Sequence, residues 1–323
     1  FDFGRSGKDR NFQNSKGFDG KITVPFCPES KLSGIGYTDF INCLWYQRQL
    51  TVPADWKGKN ILLHFGAVDY EATIYINGKF VMKHFGTGSS FTADITAFAK
   101  PGETVNLVVS VSDDLRAGKQ PGGKQSVLYN SYGCSYTRTT GIWQTVWMEP
   151  VSPQGLKQVI ATPDIDQKQL VIRPVFYEES MNNTLYIKML DGSKVVAQKS
   201  VKACNENLIV LPLKSLKLWS PESPFLYDII YTVKDKDGRI IDEVKSYAGM
   251  RKVHISGGYF YLNNQPYYQR LVLDQGYYPD GIWTAPSDNA LKQDIEMSKA
   301  VGFNGARLHQ KVFEERFYYW ADK

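Results

Sequence analysis

The chain has 323 residues, room for about two or three domains of ordinary size, and its 38 Lys and Arg against 33 Asp and Glu leave a formal net charge of +5. The two signs are interleaved, with no basic run that would track phosphates, so nucleic acid is a poor expectation. No apolar stretch approaches the roughly 20 residues that span a bilayer, which excludes a membrane-spanning helix.

Usage is globular, 42% hydrophobic and 22% charged, and the unusual component is aromatic: 7 Trp, 20 Tyr and 17 Phe. Aromatic rings suit half-buried strands and also the apolar faces of sugar rings. The opening FDFGRSGKDR lacks the apolar core of a secretion signal. Location stays open between the cytoplasm and, where a signal has been removed, the periplasm or exterior. Cys27, Cys43, Cys134 and Cys204 are too widely spaced for a compact metal site. They are expected as buried free thiols, with one bridge among the first three left open.

The first half reads as short strands divided by turns. WYQRQLTVP (45–53), NILLHFGAV (60–68), EATIYINGKF (71–80), TVNLVVSVSDD (104–114) and GIWQTVWMEPV (141–151) have strand character. Asn77-Gly78 supplies the positive-φ pair of a tight hairpin. No helical period runs through this half, so two sheets face to face, a sandwich or jelly roll, is the physical solution. Two long irregular segments, 24–36 and 116–141, interrupt it. The second carries Tyr129, Tyr132, Tyr136 and Arg138, and is expected as an ordered surface near a ligand or a neighbouring domain, with Arg138 docking one on the other.

Past Ser152-Pro153, seven alternating runs fill the sequence to about Arg251, with Asp191-Gly192 and Asp237-Gly238 as hairpin turns. An immunoglobulin-like sandwich fits them. After His254 the pattern changes. A hairpin at Asn263-Asn264 leads to an apolar run at Leu271-Val272-Leu273. A helix follows over 287–302, capped by Ser287 or Asp288 and stopped by Gly302, with Leu291, Ile295 and Val301 on one face. FNGARLH (303–309) is a strand, and a second helix begins at 312. Strand, helix, strand, helix is the grammar of a parallel sheet. About 70 residues cannot close a (β/α)8 barrel, which takes about 250, so the chain is expected to stop early in such a fold.

These last residues resemble the start of the catalytic barrel in glycoside hydrolase family 2. The likeness rests on Asn264-Gln265-Pro266, then Asp294, Lys299, Gly302, Asn304, Arg307 and His309, then Tyr319-Trp320-Ala321-Asp322. Upstream, WYQRQLTVP, LHFGAVDYEATIYINGK and TGIWQTVWMEPV resemble that family's sugar-binding jelly roll. The resemblance implies a mainly β chain in three parts: a jelly-roll sandwich (1–152), an immunoglobulin-like sandwich (153–252) and the truncated start of a (β/α)8 barrel (253–323). It implies a retaining exo-β-glycosidase, β-galactosidase-like, whose acid/base and nucleophile glutamates lie beyond Lys323, so that the fragment alone is inactive. Asn205-Glu206 looks like the family's Asn-Glu pair but falls in the wrong domain.

His309 matches a substrate-contacting histidine of the family, and Arg307, two positions earlier, shares its strand face. Arg307 is expected either to fix a catalytic carboxylate or to close a core ion pair. Asp274 stands where many relatives carry a different motif, and either reads a sugar hydroxyl or caps a turn. Asp69 and Trp283 complete the substrate-binding expectation. The partner implied is a carbohydrate, a β-galactoside or related β-glycoside, and the open barrel edge suggests homo-oligomers. No cofactor is evident, since no GxGxxG or P-loop pattern occurs; Mg²⁺ or Na⁺ in the complete enzyme is implied by the family only. The competing reading is a carbohydrate-binding or structural β-sandwich protein without catalysis.

Overall fold

The computed structural model describes every residue except Glu206, so the Asn205-Glu206 look-alike falls partly outside the described residues. Two compact units emerge. The first comprises Phe1–Pro150 with Val272–Met297 and Ala306–Tyr318, and the second Val151–Leu271 with Ser298–Gly305 and Tyr319–Lys323.

Nine strands lie in the N-terminal part: β1 (Cys43–Thr51), β2 (Asn60–Phe65), β3 (Val68–Asp69), β4 (Glu71–Ile76), β5 (Lys79–Phe85), β6 (Phe91–Asp94), β7 (Thr104–Ser112), β8 (Gly141–Ile142) and β9 (Val146–Val151). They form sheets of order β1-β7-β4-β5 and β6-β2-β9, with β3 and β8 paired between themselves. The strand alternation read from the sequence is realised as burial. Ala72, Ile74 and Ile76 point inward from β4, and Val105, Leu107, Val109 and Val111 from β7, all into one core with Leu63 and Phe65. The Asn77-Gly78 turn has both residues at positive φ, 50° and 77°, as the tight hairpin between β4 and β5 requires.

Seven strands make the second sandwich. These are β10 (Leu156–Asp164), β11 (Gln169–Phe176), β12 (Ser180–Asp191), β13 (Lys194–Ala203), β14 (Ile209–Pro212), β17 (Tyr227–Lys234) and β18 (Ile240–Ala248), with the short hairpin of β15 (Trp219–Ser220) and β16 (Ser223–Pro224) between the fifth and sixth. One sheet runs β10-β11-β14 and the other β13-β12-β17-β18. Leu185, Ile187 and Met189 of β12 meet Ile229, Tyr231 and Val233 of β17 in its core. A small sheet follows, of β19 (Val253–Ser256), β20 (Tyr259–Leu262) and β21 (Gln265–Pro266), whose turn uses Asn263 and Asn264 at positive φ.

The C-terminal elements are β22 (Leu271–Asp274), α1 (Asp288–Ala300), β23 (Gly305–Leu308) and α2 (Glu315–Asp322). Asn304 N donates to Arg270 O, and His309 N to Asp274 O, so β22 and β23 run in the same direction. Ser287 Oγ accepts from Ala290 N at the start of α1, and Gly302, φ 99°, ends its turn. Leu291 is buried, but Val301, expected on the same face, is 74% exposed because it lies past the last helical turn. The fold is therefore mainly β, with a jelly-roll sandwich, an immunoglobulin-like sandwich and the opening βα units of a barrel. All four cysteines are free, and only Cys27 and Cys43 are buried. Cys134 is exposed, with Lys124 Nζ 3.1 Å from its sulfur. Among the described residues no helix is long and apolar enough to cross a membrane.

Ile187 is 1% exposed whereas its neighbour Tyr186 is 39% exposed. Urea unfolding should show Ile187→Ala losing about 2–5 kcal/mol and Tyr186→Ala losing little.

Candidate functional site

The first unit carries a buried polar seam. Three carboxylates, Glu29, Asp69 and Asp113, are at most 6% exposed. Each comes from a different segment: Glu29 from the irregular 24–36 stretch, Asp69 from β3, and Asp113 from the residue after β7. The long 116–141 loop ties them together. Thr140 N donates to Glu29 Oε2 (3.2 Å), and Thr140 Oγ1 to Asp113 Oδ2 (3.0 Å). Gln120 Nε2 donates to Asp113 Oδ1 (2.7 Å). Gln125 Nε2 donates to Asp69 Oδ2 (2.8 Å), while Gln125 Oε1 accepts from Thr139 N (2.8 Å). Thr87 adds a side-chain hydrogen bond to Asp69.

Burial dominates the titration of all three. It pushes Glu29 up to about 7 against the bonds from Thr140, and Asp113 up to about 6 against those from Gln120 and Thr140. Asp69 is raised well above the carboxylate range, by burial first and the charge of Asp113 second. Arg138 does not neutralise the seam by direct pairing. Its guanidinium donates to the carbonyls of Ser126 (3.2 Å), Leu128 (2.6 Å) and Thr38, and lies 4.0 Å from the centre of the Phe40 ring. The expected docking role therefore gives way to a local one: Arg138 holds its own loop in shape. The neighbour-facing work falls to other residues. Tyr136 packs on Tyr277 (ring centres 4.5 Å apart) and Trp143 on Trp283 (5.1 Å).

The residues expected to bind substrate fall in two groups. Asp69 and Trp283 are buried side chains, and Trp283 joins Ala67, Trp143 and the partly buried Tyr277 in one small cluster. Trp283 thus takes the packing role, and its indole hydrogen-bonds the Tyr277 hydroxyl. Asp274 and His309 sit instead at the C-terminal ends of the parallel β22 and β23, the end at which barrel enzymes build their sites. Asp274 Oδ1 accepts from Gly276 N (2.8 Å), so this residue caps its own turn, and burial raises its carboxyl. Arg307 is exposed and makes no ion pair among the described residues; its Nη1 lies 3.1 Å from His309 Nδ1. Partial desolvation and the charges of Arg307 and Lys124 hold the His309 imidazole below its usual value.

Sequence reasoning passed over Lys311. Its side chain is 1% exposed, and its ammonium donates to the carbonyls of Gly276 (2.8 Å) and Trp283 (2.5 Å). Burial lowers its affinity for the proton, with Glu314, Asp274 and Asp294 pulling the other way. Its place two residues after His309, at the end of a barrel strand, was the only signal available. Glu29 and Asp113 had none, since a turn and a strand end look alike whether solvated or buried. Among the described residues no group of three His, Cys, Asp or Glu side chains could hold a metal ion.

With this geometry in view, two family models match in order. "Glycosyl hydrolases family 2, sugar binding domain" covers residues 37–147, and "Glycosyl hydrolases family 2" covers 176–251. The chain belongs to glycosyl hydrolase family 2. It is 27% identical over 82% of its length to a putative beta-glucuronidase of Formosa agariphila, covering 32% of that protein. It is 26% identical over 81% of its length to a beta-galactosidase of Thermoanaerobacter pseudethanolicus, covering 36% of it. The solved beta-glucuronidase of Ruminococcus gnavus superposes on the whole chain with a TM-score of 0.84 at 23% identity, covering 54% of that structure; at this identity the likeness shows the fold. This family 2 chain spans about a third to a half of the length of the curated relatives it matches.

The sign of the pH dependence follows from the seam. A carboxyl whose folded pKa is raised favours folding while protonated, and this contribution is lost as pH rises from about 4, the unfolded range, through the folded values of about 6 and 7. The melting temperature of the jelly-roll part should fall between pH 5 and 8. Glu29→Gln should flatten that slope, recovering on the order of 1–3 kcal/mol at pH 8. Scanning calorimetry of both proteins across this range checks it.

Proposed function

We propose that this chain supplies the sugar-facing and linking parts of a β-glycosidase that acts on a terminal β-linked sugar, and that it performs no catalysis by itself. Its functional division is jelly roll 1–152, sandwich 153–252 and barrel start 253–323. The observation that carries the reading is the parallel β22–β23 pair, which delivers Asp274 and His309 to the same strand ends in a chain matched in order by two models of one hydrolase family. Retaining glycoside hydrolysis needs two carboxyl groups roughly 5–5.5 Å apart across an accessible anomeric carbon. Glu29, Asp69 and Asp113 are closed off from solvent and tied into the fold, so they cannot serve as that pair.

On this reading His309 and Arg307 contact the sugar, Asp274 orients the turn beneath it, and the buried Asp69 and Trp283 support the site from within the fold. Arg307 and Lys124 both act on His309. A site edged by these cations favours a sugar bearing a carboxylate, as in the substrates that the name beta-glucuronidase denotes, over the neutral galactoside first expected. A β-galactoside is the second reading, supported by the beta-galactosidase among the relatives.

Aryl β-D-glucuronide and aryl β-D-galactoside assays on residues 1–323 and on the full-length gene product test both levels. Residues 1–323 should release no aglycone, while the full-length protein should prefer the glucuronide. Arg307→Ala should reduce that preference about tenfold, equivalent to about 1.4 kcal/mol. Turnover by residues 1–323 alone would refute the non-catalytic assignment.

A further inference from the structure

The loop joining β22 to α1 is organised around a charged side chain where an apolar one would be the ordinary choice. Two of its residues, Gly276 and Trp283, both give their carbonyl oxygens to one donor, Lys311 Nζ. Gly276 has φ 65°, and a Cβ added there would lie 2.7 Å from Lys311 Cδ and 2.8 Å from Phe313 Cζ. Only glycine combines that backbone conformation with so close an approach to the lysine stem. The ammonium lies 4.7 Å from the centre of the Phe313 ring and 5.4 Å from that of Trp143, and its nearest carboxylate oxygen, Glu314 Oε2, is 3.9 Å away.

Burying a cation without a close counter-ion is unfavourable unless its hydrogen bonds accomplish something that apolar packing cannot. Here they close a loop. Between the two bonded carbonyls, Tyr278 and Ile282 exchange backbone hydrogen bonds of 2.8 and 3.0 Å, so the loop is cross-tied within as well as at its base. Tyr277 is thereby held against Tyr136, and Trp283 against Trp143. Tyr277 and Trp283 also pack on each other, ring centres 6.1 Å apart, and a hydrogen bond from the indole acts on the Tyr277 hydroxyl.

We propose that Lys311 is a positioning residue that holds the Gly276–Trp283 loop by its two carbonyls, and so fixes the turn after Asp274 at the strand ends where the sugar binds. This rests on the reading of the chain as part of a β-glycosidase. Lys311 touches neither the sugar nor the reacting atoms; it acts through the loop.

Lys311→Met keeps the methylene stem and removes the donors. Hydrogen exchange on residues 1–323 should show the amides of Tyr278 and Ile282 exchanging about 100-fold faster in this variant, while those of Leu107–Val111 in the jelly-roll core are unchanged. In the full-length protein, the same substitution should raise KM for an aryl β-glycoside about tenfold while kcat changes less than about twofold, because ground-state placement of the sugar is what is lost. Unchanged exchange at Tyr278 and Ile282 would overturn the proposal. So would loss of protection throughout the unit, which would make Lys311 a general determinant of folding. Loosened exchange with KM unmoved would remove the sugar from the proposal. Absence of turnover in the unsubstituted full-length protein would instead sink the glycosidase reading itself.

Discussion

The jelly-roll part of this chain depends on keeping three carboxylates out of water. Glu29, Asp69 and Asp113 come from segments far apart in sequence, and each is tied to Gln120, Gln125 or Thr140 of a single loop. A loop of this length would ordinarily be mobile, because it buries little apolar area to offset its ordering entropy. Here polar bonding in a dry interior substitutes for apolar burial, and the loop becomes a fixed wall. Tyr136 and, just past the loop, Trp143 then offer rigid faces on which Tyr277 and Trp283 pack.

The same device recurs at Lys311. A buried charge with two carbonyl partners shapes a second loop, where Gly276 permits the close approach. In both places a polar group that would be unfavourable alone becomes useful because its partners are the backbone of an otherwise unsupported segment. Regular strands supply the frame, and buried charge shapes the connections between them. This division accounts for a site that draws on irregular segments while the sandwich itself stays regular.

The strands were legible because their signal is local. Ala72, Ile74 and Ile76 alternate with Thr73 and Tyr75 in the sequence, and the same alternation separates core from surface in the fold. Turn chemistry was equally plain at Asn77-Gly78 and Asn263-Asn264, since positive φ is tolerated by few residue types. Val301 was misread for the complementary reason: periodicity continues on paper past the residue at which the helix ends. Cys134 was misread as buried because nothing around it distinguishes a core thiol from one beside Lys124 on a loop surface.

Sequence alone determined the order of the parts, the strand faces, the turns and the family, because each is written in neighbouring residues or in motifs preserved in order. It also picked out Asp274 and His309 as strand-end residues. Tertiary structure alone decided that Arg138 braces its own loop, that Glu29 and Asp113 join Asp69 away from solvent, and that Lys311 is buried against two carbonyls. A carboxylate or an ammonium carries the same letter in water and in the interior. What it does depends on solvent access and on partners brought in from distant segments, and neither exists until the chain has folded.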